Sequence, residues 1–329
     1  MRQENTNLRH ELLRTDKLTI GYKSGNSDNA LLENLELTLH QGELICFMGP
    51  NGIGKSTLIR TLAGLQSPLS GMIRTNQGDV NTGIEKNISL VLTDRITAVN
   101  MTVLELVTFG RYPYLDWNLK LSETDNDNIQ KAIQLTRIEN LVSKKLYELS
   151  DGQMQMAMIA RALAQDTPLL LLDEPTAHLD LNNRVEIMNL LRNLTRNSSK
   201  GILVATHELD LALQTADTIW LTGKNKNILA GIPEDLVLNG AFDDIFQFKG
   251  FDLKTGKVFH EPWRGVSIAL QGEGYEYLWT KNALERCGFK LDTNSNLLIR
   301  ATNHKNQLTW TYQDQVYHSL HHLLVALAS

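Results

Sequence analysis

Cysteine is nearly absent: two residues in 329, Cys46 inside an apolar run and Cys287 far from it. Two distant thiols cannot form a disulfide framework, and such usage fits a reducing compartment, most simply the cytoplasm. Long apolar runs are missing too. Nothing approaches the roughly 20 apolar residues that span a bilayer, and the polar start Met1 to His10 lacks the apolar core of a signal peptide, so the expectation is a subunit that does not cross a membrane by itself. Nor is there an excess of positive charge: 32 basic against 37 acidic residues leave a formal net charge of -5. Bulk attraction to nucleic acid or anionic lipid is thereby excluded, and partners must be recognised locally. No internal repeat or low-complexity tract interrupts the chain.

What is present is enough apolar material, 42% of the residues, to bury a large core and a smaller one. Leu18, Ile20 and Tyr22 alternate with polar neighbours, as do Leu35, Leu37 and Leu39, which predicts short half-buried strands separated by a polar loop, Ser24 to Asn29. Leu44 to Met48 reads as a buried strand entering a glycine-rich turn and a helix, Ser56 to Leu65, the βα unit of a parallel sheet. Leu169 to Leu172 and Ile202 to Ala205 have the same buried-strand character. Thr102 to Leu149 carries helical periodicity in Val103, Leu106 and Val107 and again in Ile129, Ile133, Leu135 and Ile138, which predicts a helical insert. From about Gly250 the pattern changes. It predicts a strand Val266 to Leu270, a helix Tyr275 to Cys287 ended by Gly288, strands Leu297 to Thr302 and Leu308 to Tyr312, and a closing helix Val316 to Ala328.

The chemistry starts at Gly49-Pro50-Asn51-Gly52-Ile53-Gly54-Lys55-Ser56, followed by Thr57. It matches G-x-x-x-x-G-K-[ST] and stands between a buried strand and a helix, as a phosphate-binding loop must. Glycines let backbone N–H groups converge on phosphates and the helix N-terminus adds partial positive charge, while Lys55 would neutralise the β- and γ-phosphates and Ser56 would hold Mg²⁺. Asp173 and Glu174 follow the strand Leu169 to Leu172. Asp173 suits a metal-orienting carboxylate, and Glu174, facing the other way, suits the group that positions or deprotonates an attacking water.

Leu149-Ser150-Asp151-Gly152-Gln153 closely resembles the Leu-Ser-Gly-Gly-Gln signature of ABC ATPases, and the resemblance extends over about residues 8 to 247. Tyr22, Asp173-Glu174, Ala177-His178-Leu179-Asp180 and His207 stand in the order that family shows. The resemblance implies an α/β fold: a P-loop NTPase ABC ATPase domain over 1–247, with a mixed sheet core, an antiparallel β edge and a helical subdomain at about 95–160. A small C-terminal α+β domain over 248–329 follows, possible roles being regulation or bracing of a dimer. ATP and Mg²⁺ are the implied cofactors. Two copies clamp two ATP molecules, the phosphate loop of one facing Ser150, Gly152 and Gln153 of the other; Tyr22 stacks on adenine, His207 contacts the γ-phosphate and Asp180 helps organise the opposing site. The implied partners are a second copy, multi-span permease subunits and, indirectly, a substrate-binding protein. The implied location is the cytoplasmic face of the cell membrane.

One element departs from the family. The glutamine expected after the strand Ile88 to Leu92 is replaced by Thr93-Asp94-Arg95, so Thr93 or Asp94 stands in near the metal, or the contact is lost. Thr102 to Tyr114 looks like the segment found in ATPases of importers for iron-siderophore, haem and cobalamin complexes. Its aromatic and basic residues would lie beside the groove for the permease; alternatively Phe109, Tyr112 and Tyr114 pack the insert. An importer motor is the reading this favours, over a soluble ABC ATPase of DNA repair or the ribosome and over an exporter. Met154, Met156 and Met158 read as core filler. His318, His321 and His322, at i, i+3 and i+4 of the closing helix, read as surface or packing residues unaccompanied by other metal-ligand types.

Overall fold

Five consecutive apolar residues, Leu44–Met48, are buried on both sides, as a central parallel strand requires. The structure is a computed structural model describing residues 10–24, 27–75, 78–79, 86–93, 100–258, 260–304 and 307–328. The chain divides into two compact units, Met1–Gln247 and Phe248–Ser329.

In the first unit, β1 (Glu11–Ser24), β2 (Ser27–Leu35), β3 (Thr38–His40), β4 (Leu44–Met48) and the helix α1 (Lys55–Leu62) are followed by β5 (Ser70–Thr75), β6 (Gly78–Asp79) and β7 (Ile88–Val91). The insert holds α2 (Val103–Thr108), a 3-10 turn over Phe109–Tyr114, α3 (Glu123–Thr136) and α4 (Asp151–Ala164). Then come β8 (Leu169–Asp173), α5 (Leu181–Ser198), β9 (Gly201–Ala205), α6 (Leu209–Thr215), β10 (Thr218–Thr222), β11 (Ile228–Gly231), α7 (Pro233–Leu238) and α8 (Ala241–Phe246). One sheet runs β11-β10-β4-β9-β8-β7, parallel except for the antiparallel edge strand β11. The other is antiparallel, with β1 pairing β2, β3 and β5. Between them Leu18, Ile20, Leu32, Phe47, Leu58 and Trp220 share one core. Burying each such side chain contributes about 1.5–3 kcal/mol, which fixes the depth at which the strand ends emerge.

In the second unit β12 (Phe251–Asp252) pairs with β13 (Lys257–Val258), and β14 (Ser267–Gln271) leads through α9 (Gly274–Arg286) to β15 (Lys290–Leu291), β16 (Leu298–His304), β17 (Gln307–Tyr312), β18 (Gln315–Tyr317) and α10 (Leu320–Ala328). The sheet order is β15-β14-β16-β17-β18, with β14 parallel to both neighbours. Ile268, Leu284, Phe289, Ile299, Trp310 and Leu323 form its core, and the buried indole of Trp310 donates to Thr280 Oγ1 at 2.7 Å.

Three expectations need correction. Val316 belongs to β18, not to the closing helix, because Gln313 (φ 47°) and Asp314 (φ 64°) turn β17 back into a hairpin. His318 therefore precedes α10, and the three histidines do not share a helix; among the described residues no group of three or more His, Cys, Asp or Glu is placed to hold a metal. Leu135 is exposed, and Ile138 reaches the core only after Arg137 (φ 56°) has ended α3. Asp28 and Asn29 are not loop but β2, paired with Lys23 and Tyr22.

Candidate active site

The phosphate loop leaves β4 and enters α1. Gly52 (φ 77°) and Gly54 (φ 113°) hold left-handed backbone that a Cβ would strain, and a Cβ at Gly49 would stand 2.7 Å from the Thr222 carbonyl. Lys55 is buried, its ammonium donating to the carbonyls of Gly49 (3.0 Å) and Pro50 (3.3 Å). Burial pushes the Lys55 pKa down, with the charges of Glu174 and Asp173 opposing. Thr57 Oγ1 lies 3.0 Å from the hydroxyl of Tyr22, whose ring is half exposed above the loop.

Strand ends converge here because the parallel ladder continues past them: the Thr206 amide donates to the Phe47 carbonyl (3.0 Å) and the Glu174 amide to the Ala205 carbonyl (2.8 Å). Asp173, buried at the end of β8, accepts from Ser56 Oγ at 3.1 Å. Burial pushes its pKa up, the Ser56 hydrogen bond opposes this, and neighbouring Glu174 raises it again. A hydroxyl and a carboxylate meeting this way are the hard oxygen donors that suit Mg²⁺. Thr93 Oγ1 donates to the Asp173 carbonyl at 3.1 Å, which puts it beside this pair; Asp94 lies outside the described residues. Glu174 sits in the left-handed region (φ 47°), rare for a non-glycine residue. Its Oε2 is 3.5 Å from His207 Nδ1.

Ser150 caps α4 with a reciprocal pair: the Gln153 amide donates to Ser150 Oγ and the Ser150 amide to Gln153 Oε1, both at 3.3 Å. Gly152 abuts the side chain of Asn183, whose amide (2.9 Å) and Nδ2 (2.8 Å) donate to the carboxylate of Asp180, the cap of α5.

Residues 32–177 match the family ABC transporter, and residues 265–328 match the family Iron ABC transporter C-terminal domain. An uncharacterized ABC transporter ATP-binding protein of Methanocaldococcus jannaschii is 36% identical over 260 residues, 75% of this chain and 88% of the relative. The chain belongs to the ABC transporter ATP-binding family. It therefore carries an ATP-hydrolysing, nucleotide-binding domain. The petrobactin import ATP-binding protein of Bacillus anthracis is 34% identical over 255 residues, 76% of this chain and 91% of that one. The ferric enterobactin transport ATP-binding protein of Escherichia coli is 33% identical over 238 residues, 71% and 86%. Among solved structures, the dimeric post-hydrolysis state of an ATP-binding cassette bound to ADP and Pi is similar with a TM-score of 0.59 and 26% identity, over 68% of this chain and 99% of that one.

In this ABC cassette the tertiary structure gathers Lys55, Ser56, Thr93, Asp173, Glu174 and His207 at the carboxyl ends of the adjacent parallel strands β4, β9, β8 and β7. Among the described residues no helix is long and apolar enough to cross a membrane. A groove of about 610 Å³ is lined by Asn100, Met101, Leu104, Thr108, Phe109 and Tyr112. Arg111, expected beside such a groove, is instead buried: it pairs with Asp125 at 2.8 Å, donates to the Ala164 and Gln165 carbonyls, and stacks on Tyr114 at 4.0 Å. Sequence reasoning missed two neighbours of the site, Asn183 and Glu208. Only the position of Glu208 directly after His207 could have pointed to it.

Proposed function

We propose that the chain is the ATP-hydrolysing motor of an importer for an iron complex, siderophore or haem, or for cobalamin. The observation that carries the hydrolytic part is the meeting of Ser56 with Asp173 and of Glu174 with His207 around one phosphate loop. Lys55 neutralises the β- and γ-phosphates, and Asn51, Ile53, Gly54, Ser56 and Thr57 offer backbone N–H groups. Tyr22 stacks on adenine. Ser56 and Asp173 would hold Mg²⁺, which when bound offsets charge on the phosphate oxygens; Thr93 takes the place of the family's glutamine. Glu174 positions and deprotonates the attacking water while His207 holds the γ-phosphate. Two copies face one another, so that the amide end of α4 at Ser150, Gly152 and Gln153 meets the nucleotide of the partner, with Asp180 beside it. ATP supplies this contact and hydrolysis removes it.

The groove at Leu104, Phe109 and Tyr112 would accept a permease subunit, with the chain working peripherally at the cytoplasmic face of the cell membrane. The names of the Bacillus and Escherichia relatives and the family matched by residues 265–328 support an iron complex as cargo. Residues 1–247 form the cassette, with its helical part at about 95–160, and residues 248–329 brace or regulate the dimer. The decisive experiment is Glu174→Gln. It retains ATP binding, lowers turnover by about 10²-fold or more, and gives an ATP-dependent dimer by light scattering. Wild-type turnover would remove Glu174 from its role, and monomers at saturating ATP would remove the facing arrangement.

A further inference from the structure

His207 lies between two carboxylates. Glu174 Oε2 is 3.5 Å from Nδ1, and Glu208 Oε1 is 3.7 Å from Nε2. The second oxygen of Glu208 accepts from Arg184 Nη1 at 2.6 Å, with the two side chains 18% and 29% exposed. The segment carrying the histidine is tied down as well, since the Glu208 amide donates to Thr206 Oγ1 at 3.0 Å. Arg184 stands one helical turn into α5, its amide bonded to the carbonyl of the cap Asp180 at 3.0 Å.

We propose that Arg184 and Glu208 are a positioning pair that sets the orientation of His207 and ties it to the start of α5. An unrestrained glutamate next to the histidine would compete with Glu174 for the imidazole N–H. Held by Arg184, its carboxylate is fixed in place and partly neutralised, so the ring keeps the edge toward Glu174. A partly buried charge-assisted bond holds that geometry better than an exposed ion pair, which is worth little. The pair touches neither phosphate nor water in this scheme and acts only through His207; the inference thus rests on His207 as the γ-phosphate contact.

The test is steady-state ATPase kinetics with mant-ATP binding and thermal melting. Arg184→Met and Glu208→Gln each lower kcat about tenfold or more, with the mant-ATP Kd within about twofold and the melting midpoint little moved. Arg184→Met added to Glu208→Gln costs nothing further. Arg184→Lys keeps at least about half of kcat, because Glu208 receives a single bond that an ammonium can also make. Should Arg184→Met fail to fold, Glu208→Gln and Arg184→Lys carry the test. Losses that multiply in the double variant, or losses in KM and stability alone, overturn the proposal. So does wild-type turnover by Glu208→Gln where His207→Ala is impaired. Full turnover by His207→Ala would instead sink the role given to His207.

Discussion

Ser56 Oγ donates to Asp173 Oδ1 across 3.1 Å, joining residues 117 positions apart in the chain. This one bond ties the glycine loop after β4 to the end of β8, where the proposed Mg²⁺ site lies. Ser56→Ala removes a donor that opposes the upward shift of the buried Asp173. Its ATPase activity at saturating ATP falls by about 10²-fold, and the Mg²⁺ concentration giving half-maximal rate rises. A magnesium titration of the purified variant reads both. An unchanged titration curve would show that Ser56 does not serve the metal.

A side chain at Gly152 would have to displace Asn183. A Cβ there would lie 2.7–2.8 Å from the carboxamide of Asn183, which is held by Asp180. Gly152→Ala therefore disturbs the α5 cap as well as the α4 N-terminus, and turnover drops by about tenfold or more. Adding Asn183→Ala relieves the clash and recovers part of the rate. Failure of the second substitution to recover any rate would mean that Gly152 matters for a reason outside its own chain.

Arg111 and Asp125 form a buried pair in the insert. Burial works to raise the Asp125 pKa, but the Ser122 hydroxyl and amide and then Arg111 outweigh it and hold the carboxyl below its ordinary range. A depressed folded pKa stabilises above the unfolded value of about 3.9, and the contribution disappears as pH falls through the folded value. Asp125→Asn leaves Arg111 buried without its counter-ion and costs about 3 kcal/mol at pH 7. Urea midpoints of the two proteins should converge as pH falls below the usual carboxylate range. A gap that stays constant down to pH 3 contradicts this account.

Thr280 Oγ1 accepts the hydrogen bond of the Trp310 indole inside the core of the second unit. Thr280→Val keeps the volume and strands the indole N–H, at a cost of about 1–3 kcal/mol. Near-ultraviolet dichroism followed on heating should report earlier loss of Trp310 order. Melting identical to wild type would show that the bond contributes nothing net.

The phosphate loop, the strand ahead of it and the Asp173-Glu174 pair were legible because their determinants are contiguous: an apolar run, left-handed glycines and a charge at the strand end are local requirements. The capped start of α4 was legible for the same reason, since Ser150 and Gln153 satisfy each other within four residues. The hairpin before α10 was not. Its turn uses Gln313 and Asp314 in left-handed backbone rather than the glycine that would announce it, and the apolar spacing after it suits a helix equally well. Arg111 read as a surface cation because its acceptors, Asp125 and two carbonyls at the end of α4, come from elements the local sequence cannot place.

By itself, then, the sequence determined the glycine loop, the apolar strands and the charges at their ends, because those features are set within a few residues by backbone freedom and charge. Tertiary structure alone decided that Thr93 comes to rest on Asp173 and that Arg184 reaches Glu208. Such meetings depend on the order of strands in a sheet and on the angle at which a helix crosses it, quantities set by packing the whole core and carried by no single segment.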